Sequence, residues 1–492
     1  MNSHRRNPHL YEINTWAWLD ELSRRPGPRV TIGDVPDSEW DNLAELGFDF
    51  IWLMGVWERS PESRREFGGD PASFATFQQA LPGATMANVV GSPYSVHSYR
   101  PDPHIGDWRG LDEARENLNR RGMQLLLDFV PNHLALDHPW TREHPEYFIL
   151  GSEEDLLREP ASFYRVETNS GAKVIARAKD PYFPPWRDVA QLNLFHPTLR
   201  AALLAQLVEI SKHCDGVRCD MAMLILNDIF AKTWAAYLGG AKAPASEFWR
   251  DARPLLPDFT LLAEAYWGTE GRLIELGFNF TYDKGFYDAL RNNRPGDLRA
   301  DLSAEYETQT RQARFLENHD EERSAVVFDG RIAAAATLLS TAPGMRFYQQ
   351  GQLEGRKIQL PIALSHADVE PVDSDVEILY RALLRLTSNE VFHSGAWRKL
   401  DIGPQDDASS ENLIAYDWQN EKSWKLIVVN LSDASAQGRV RLGDRIAPGG
   451  RYKFYDVLNG PQYLRDADEI RSEGLFVRRD AFEVHLFDVS PA

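Results

Sequence analysis

QLLLDFVPNH at residues 124–133 and GVRCDMA at residues 216–222 are read together. Each is a short apolar run ending in an acid, Asp128 in one and Asp220 in the other. Runs of this length, buried on both faces and bounded by turn residues, read as strands of a parallel sheet. Six more share the character: Tyr11–Asn14, Phe48–Leu53, Thr260–Glu264, Phe278–Tyr282, Arg314–Leu316 and Met345–Tyr348. Amphipathic helical stretches lie between them, among them Pro197–Ser211, with Leu199, Leu203, Leu207 and Ile210 on one face and Pro197 at the first helical position. Eight strands alternating with helices, each buried on both sides, predict an α/β fold and fit a closed (β/α)8 TIM barrel better than an open sheet, although other α/β architectures share the alternation.

From Asp128 to Gly216 the chain runs 216 − 128 = 88 residues, where one strand–helix step needs about 30 or somewhat more. The excess, rich in Pro, aromatic and charged residues (DHPWTREHPEYF, KDPYFPPWRDV), predicts a small domain inserted after strand three, over 134–193. The barrel then takes 1–133 and 194–387. Beyond it, Leu413–Trp418 and Trp424–Leu431 alternate as a hairpin around QNEKS, and Arg439–Leu442, Tyr452–Val457 and Phe482–Val489 continue as strands. Residues 388–492 therefore predict an all-β, antiparallel sandwich.

The 492 residues carry 54 Lys+Arg and 73 Asp+Glu, a formal net charge of −19. That balance disfavours nucleic acid and anionic membrane as partners and leaves a neutral or cationic substrate. Two cysteines, Cys214 and Cys219, cannot build a disulfide framework. The stretch MNSHRRNPHLYEINTW shows no apolar leader core, and no apolar run reaches membrane-spanning length, so a cytoplasmic protein is expected.

In such a barrel, chemistry sits at the carboxyl ends of the strands. Those ends supply Asp128, Asn132 and His133, then Arg218 and Asp220, then Glu264, then His319 and Asp320. Alternation puts Arg218 and Asp220 on the interior face and turns Cys219 outward. The Arg218 charge is expected to hold Asp220 ionised, and the apolar and aromatic surround of Glu264 to raise its pKa. Two carboxyls in unlike environments suit glycoside hydrolysis. Taken singly each residue has a plainer reading: an Arg–Asp ion pair, a helix-capping Glu264, a satisfied buried His133, a solvated loop at His319–Glu322. Their succession at strand ends in one chain is what favours the chemical one.

DFVPNH, GVRCDMA, LLAEAYW and FLENHD, in that order, with GSPYSVHSY upstream, resemble the four signatures and stacking-tyrosine segment of the α-amylase superfamily, glycoside hydrolase family 13. The resemblance covers nearly the whole chain. It implies a retaining α-glycosidase acting on α-linked gluco-oligosaccharides, with Asp220 as nucleophile, Glu264 as general acid/base and Asp320 as transition-state stabiliser. It also implies Arg218, His133 and His319 contacting the sugar, Tyr94 stacking under it and Asp128 supporting the site. Carboxyls of Asp220 and Glu264 are then expected about 5–5.5 Å apart. Transfer to a second sugar, or disaccharide rearrangement, uses the same residues.

The chain departs from the family pattern at Met223-Leu224, where many starch-degrading members have Lys-His, and at Gln352, where many have an acid. No cofactor is required. Asn132 matches a residue that binds calcium in many relatives, leaving room for a structural calcium ion. Trp267, and less so Tyr182, Phe183 and Trp186, could offer faces to sugar rings, the plainer reading for the latter being packing of the insert on the barrel. Two further classes compete with this reading: a metal-dependent hydrolase using His97, His104, His133 and His319, and a non-catalytic binding module. Bond type, exo or endo action and oligomeric state are not written in the sequence.

Overall fold

A computed structural model describes residues 5–492. The first four residues of the stretch read for a leader lie outside the described residues. Eight strands form the closed barrel: β1 (His9–Asn14), β2 (Phe50–Met54), β3 (Gln124–Phe129), β4 (Gly216–Cys219), β5 (Thr260–Ala263), β6 (Phe280–Tyr282), β7 (Gln312–Phe315) and β8 (Met345–Gln349). All neighbours pair in parallel and in chain order, and β8 closes onto β1 through His9↔Arg346 to Glu12↔Gln349. Leu125, Leu126, Leu127, Val217, Leu261 and Leu262 are fully buried, as strands covered on both faces require. The helix predicted at 197–211 spans Pro197–Ile210 and buries Leu199, Leu203, Leu207 and Ile210.

Two long excursions rise from the carboxyl-end face. After β2, strand Trp57–Arg59 pairs with Val96–Pro101 around two helices, Pro61–Gly69 and Pro71–Ala80, an excursion the sequence reading did not single out. After β3, His133–Ala135 pairs with Val189–Gln191, and Leu150–Gly151, Phe163–Thr168 and Gly171–Ala176 form a small antiparallel sheet.

The C-terminal part packs a six-stranded sheet on a three-stranded one. Strand Leu413–Gln419 shows why both faces are apolar. Leu413 and Ala415 join the core between the two sheets, while Ile414, Tyr416 and Trp418 join the barrel's core. Trp418 Nε1 donates to Thr341 O at 2.7 Å. The tail is not all β as expected: Ala467–Glu473 is helical, with Asp466 accepting from the Asp468 and Glu469 amides as its N-cap. The two cysteines are free and buried. Among the described residues, no helix is long and apolar enough to cross a membrane.

Candidate active site

Arg218, on β4, is fully buried, and its two terminal nitrogens divide between two acids. Nη1 meets Asp220 Oδ1 at 2.7 Å and Nη2 meets Glu264 Oε2 at 2.7 Å. Nε reaches the Tyr282 hydroxyl at 3.3 Å, and the guanidinium lies against the rings of Trp52, Tyr94 and Tyr282. Arg218 therefore commits its terminal nitrogens to the two carboxyls, with the Tyr94 ring against its plane.

Asp220 Oδ2 is the notable atom. It is buried and has no hydrogen-bond partner; His133 Nε2 lies 3.9 Å away. Burial raises the Asp220 pKa and the Arg218 charge and hydrogen bond oppose it, so the guanidinium does not hold the acid down by itself as the sequence suggested. Glu264 is carried up to about 7, by burial above all. The Tyr266 hydroxyl donates to Oε1 at 2.9 Å and the Met221 amide to Oε2 at 2.6 Å. Met221 adopts the left-handed conformation, φ +41°, at the turn directly after Asp220.

Asp320 lies across from this pair with its side chain 49 % exposed. The crowded wall around it pushes its pKa up, but His319 outweighs that and the net shift is downward. His319 Nε2 lies 3.1 Å from Asp320 Oδ2 and 2.8 Å from the Tyr94 hydroxyl, while Nδ1 meets Glu12 Oε1 at 2.5 Å. Burial disfavours its charge, yet Asp320 and Glu12 outweigh that and raise its pKa well above the ordinary value. His133 is the opposite case: burial lowers it to about 3, leaving a neutral imidazole against the Trp186 ring.

Asp128 stands behind the bowl, 1 % exposed. It accepts from the Gly55 amide at 2.7 Å and from Trp52 Nε1 at 3.2 Å, and burial lifts it to about 6. Gly55 needs its φ of +78°, and a Cβ there would meet Pro93 Cβ at 2.8 Å.

On the Glu264 side the bowl opens into a cleft of about 740 Å³ lined by Tyr266, Trp267, Phe183 and Asp180. Trp267, 41 % exposed and at φ +63°, stands edge-on to Tyr182 at 4.9 Å. Tyr182 and Phe183 are 64 % and 67 % exposed, and the Tyr182–Trp267 contact both packs the insert against the barrel and leaves aromatic surface open.

The structure thus gathers Tyr94, His133, Arg218, Asp220, Glu264, His319 and Asp320 around one bowl, with Asp128 behind it and Trp267 on its rim. Sequence reasoning missed Glu12, Tyr266, Tyr282, Trp52 and Gln191. Glu12 had a signal, an acid on an interior position of the first strand. The four histidines of the metal-hydrolase reading do not converge: His97 pairs with Asp137 and His104 stacks on Trp16. Among the described residues no group of three or more His, Cys, Asp or Glu is placed to hold a metal ion.

The calcium position does not fit either. Gln191 Nε2 lies 3.0 Å from Asn132 O, 3.1 Å from Asn132 Oδ1 and 3.0 Å from Leu192 O. An amide nitrogen occupies the point on which those oxygens converge. Met223 and Leu224 are buried in an apolar turn, and Gln352 is tied to Tyr380 and the Gln349 amide.

Residues 37–228 match the family described as "Alpha amylase, catalytic domain". α-Amylase MalA of Haloarcula japonica is 30% identical over 374 residues, 73% of this chain and 46% of that protein. α-Amylase 3 of Dictyoglomus thermophilum is 24% identical over 388 residues, 72% of this chain and 65% of that one. This chain therefore spans less than two thirds of either relative. The crystal structure of the noncanonic maltogenic α-amylase AmyB from Thermotoga neapolitana superposes with a TM-score of 0.70 at 19% identity, covering 99% of both chains, a likeness of fold. With the barrel and its C-terminal sheets, these matches show an α-amylase catalytic-domain segment over residues 37–228 and a chain similar to α-amylases over most of its length.

Proposed function

We propose that the protein is a retaining α-glycosidase acting on α-linked gluco-oligosaccharides by double displacement. The observation that carries this is the contrast within one ion-paired set: a buried, unpartnered Asp220 Oδ2 beside a Glu264 held near 7. A lone pair with nothing to bond is aimed for attack, and an acid titrating near neutrality can both give and take a proton.

A sugar ring lies on Tyr94, with Asp320 and His319 taking its hydroxyls and the neutral His133 donating or accepting at its edge. Glu264 protonates the glycosidic oxygen as Asp220 Oδ2 bonds to the anomeric carbon, and the alcohol leaves. Glu264, now ionised, takes a proton from the incoming water, whose oxygen displaces Asp220 and restores the α configuration. Asp320, kept ionised, stabilises the oxocarbenium-like charge between the steps. Arg218 acts through the carboxyls, holding both close together as the retaining geometry requires. A second sugar in place of water gives transfer; the aromatic pair Trp267–Tyr182 on the leaving-group side supports that reading as an acceptor platform.

Trapping tests the assignment. A 5-fluoro-α-glucosyl fluoride should add one glycosyl mass to the peptide containing Asp220, and the first-formed product should be the α anomer by NMR. An adduct elsewhere, or a β product, overturns it.

A further inference from the structure

The barrel order fixes a direction across the bowl. Glu264 follows β5, and counting either way round, through β4, β3 and β2 or through β6, β7 and β8, the strand four places away is β1. A bound ring with its glycosidic oxygen at Glu264 points its far end, the 4-hydroxyl opposite the anomeric carbon, toward β1 and its neighbours β2 and β8.

That rim is walled. The excursions that follow β2 and β8 are joined there by an antiparallel bridge, Val89↔Leu364, with Val90 N–H donating to Ala363 O at 2.8 Å and Ser365 N–H to Asn88 O at 2.9 Å. Phe77, Leu81, Val89 and Leu364 form their own apolar cluster, with Ile358 and Leu360 packed on it. Arg59, 6 % exposed and over the Trp16 ring, donates Nη1 to Gly91 O at 2.7 Å in one excursion and to Ile362 O at 3.0 Å in the other. Gln359 Nε2 carries the wall to the site itself, donating to Asp320 O at 3.0 Å. The opposite rim, past Glu264, is the open aromatic cleft.

We propose that the donor end of this site is closed, so that the enzyme works only from the non-reducing end of its substrate, with Arg59 and Gln359 as the positioning residues that fasten the wall. This rests on the double-displacement reading above, because it takes Glu264 as the leaving-group side. An internal stretch of chain leaving the bowl toward β1 would have to cross this bridged wall, whereas a chain end enters and stops against it.

The test uses maltoheptaose labelled at its reducing end, with the non-reducing end either free or capped by a 4,6-O-ethylidene group. The full-length protein should shorten the free substrate stepwise, giving long labelled products first, and act on the capped one at least 100-fold more slowly. Equal rates overturn the closed end and leave the mechanism standing. Turnover of neither substrate, and of neither member of the same free and capped pair built on an α-1,6-linked chain, removes the glycosidase reading and this proposal with it. Arg59→Ala, and Gln359→Ala should the first variant fold poorly, should raise the capped-to-free rate ratio at least tenfold, while Arg59→Lys keeps it low. An unchanged ratio in both folded alanine variants overturns the fastening role.

Discussion

Removing the Tyr266 hydroxyl tests the acid/base assignment at its most specific point. In the wild type that hydroxyl donates to Glu264 Oε1 at 2.9 Å, and Glu264 titrates at about 7. A hydrogen bond to an ionised acceptor contributes about 1.5–3 kcal/mol, and one to a neutral acceptor about 0.5–1.5. The charged form of Glu264 therefore gains about 1–1.5 kcal/mol more from Tyr266 than the protonated form does. At about 1.4 kcal/mol per pKa unit, Tyr266→Phe should raise Glu264 by about one unit. The first step needs Glu264 protonated, so kcat/KM falls as pH rises through this pKa, and the alkaline limb should move from near 7 to about 8. The assay is kcat/KM for an aryl α-glucoside from pH 5 to 9, with circular dichroism confirming the fold. A limb that stays in place or moves down refutes the reasoning, because the acid would then be another group or the hydroxyl would serve its neutral form.

Arg218→Met leaves two buried carboxyls without their cation and should cost about 3–5 kcal/mol in urea unfolding at neutral pH. The loss should be smaller at pH 5: carboxyls with raised folded pKa values bind more protons folded than unfolded, so their effect on stability worsens as pH rises from the unfolded value through the folded one. Gln191→Glu puts a carboxylate among the Asn132 and Leu192 oxygens and should make Tm rise with millimolar calcium, whereas the wild type should respond neither to calcium nor to chelator; a calcium-sensitive wild type sinks the argument. Trp267→Gly relieves a bulky residue at φ +63° and removes a sugar platform, so Tm should hold or rise while KM for an oligosaccharide acceptor rises about tenfold.

The barrel was legible because its strands are short apolar runs whose ends carry acids, a pattern that survives without side-chain contacts. Strand ends were accurate to one or two residues, Gly216–Asp220 against an observed Gly216–Cys219. The helix Ala467–Glu473 was missed because its seven residues, ADEIRSE, bury only Ala467 and Ile470, too few for a period to show. At the site, residues next to a motif could be read, whereas those arriving from elsewhere could not. Gln191 reaches Asn132 across 59 positions, and Glu12 reaches His319 across 307. The Asp220 pKa was misjudged because spacing reveals the neighbouring arginine but not how completely water is removed.

The contact between Glu12 and His319 also bears on how the protein is made. The closing seam pairs residues 9–12 with 346–349, so one edge of the first strand, whose other edge pairs with β2, must wait for about 340 residues to be synthesised before its partner exists. At about 5–20 residues per second, that is on the order of tens of seconds on the ribosome with an unpaired strand edge exposed. The seam and the second carboxylate partner of His319 are completed together, since Glu12 belongs to both. The growing chain therefore gains the acids of its second, third and fourth motifs in turn, but has no assembled bowl until the last strand arrives.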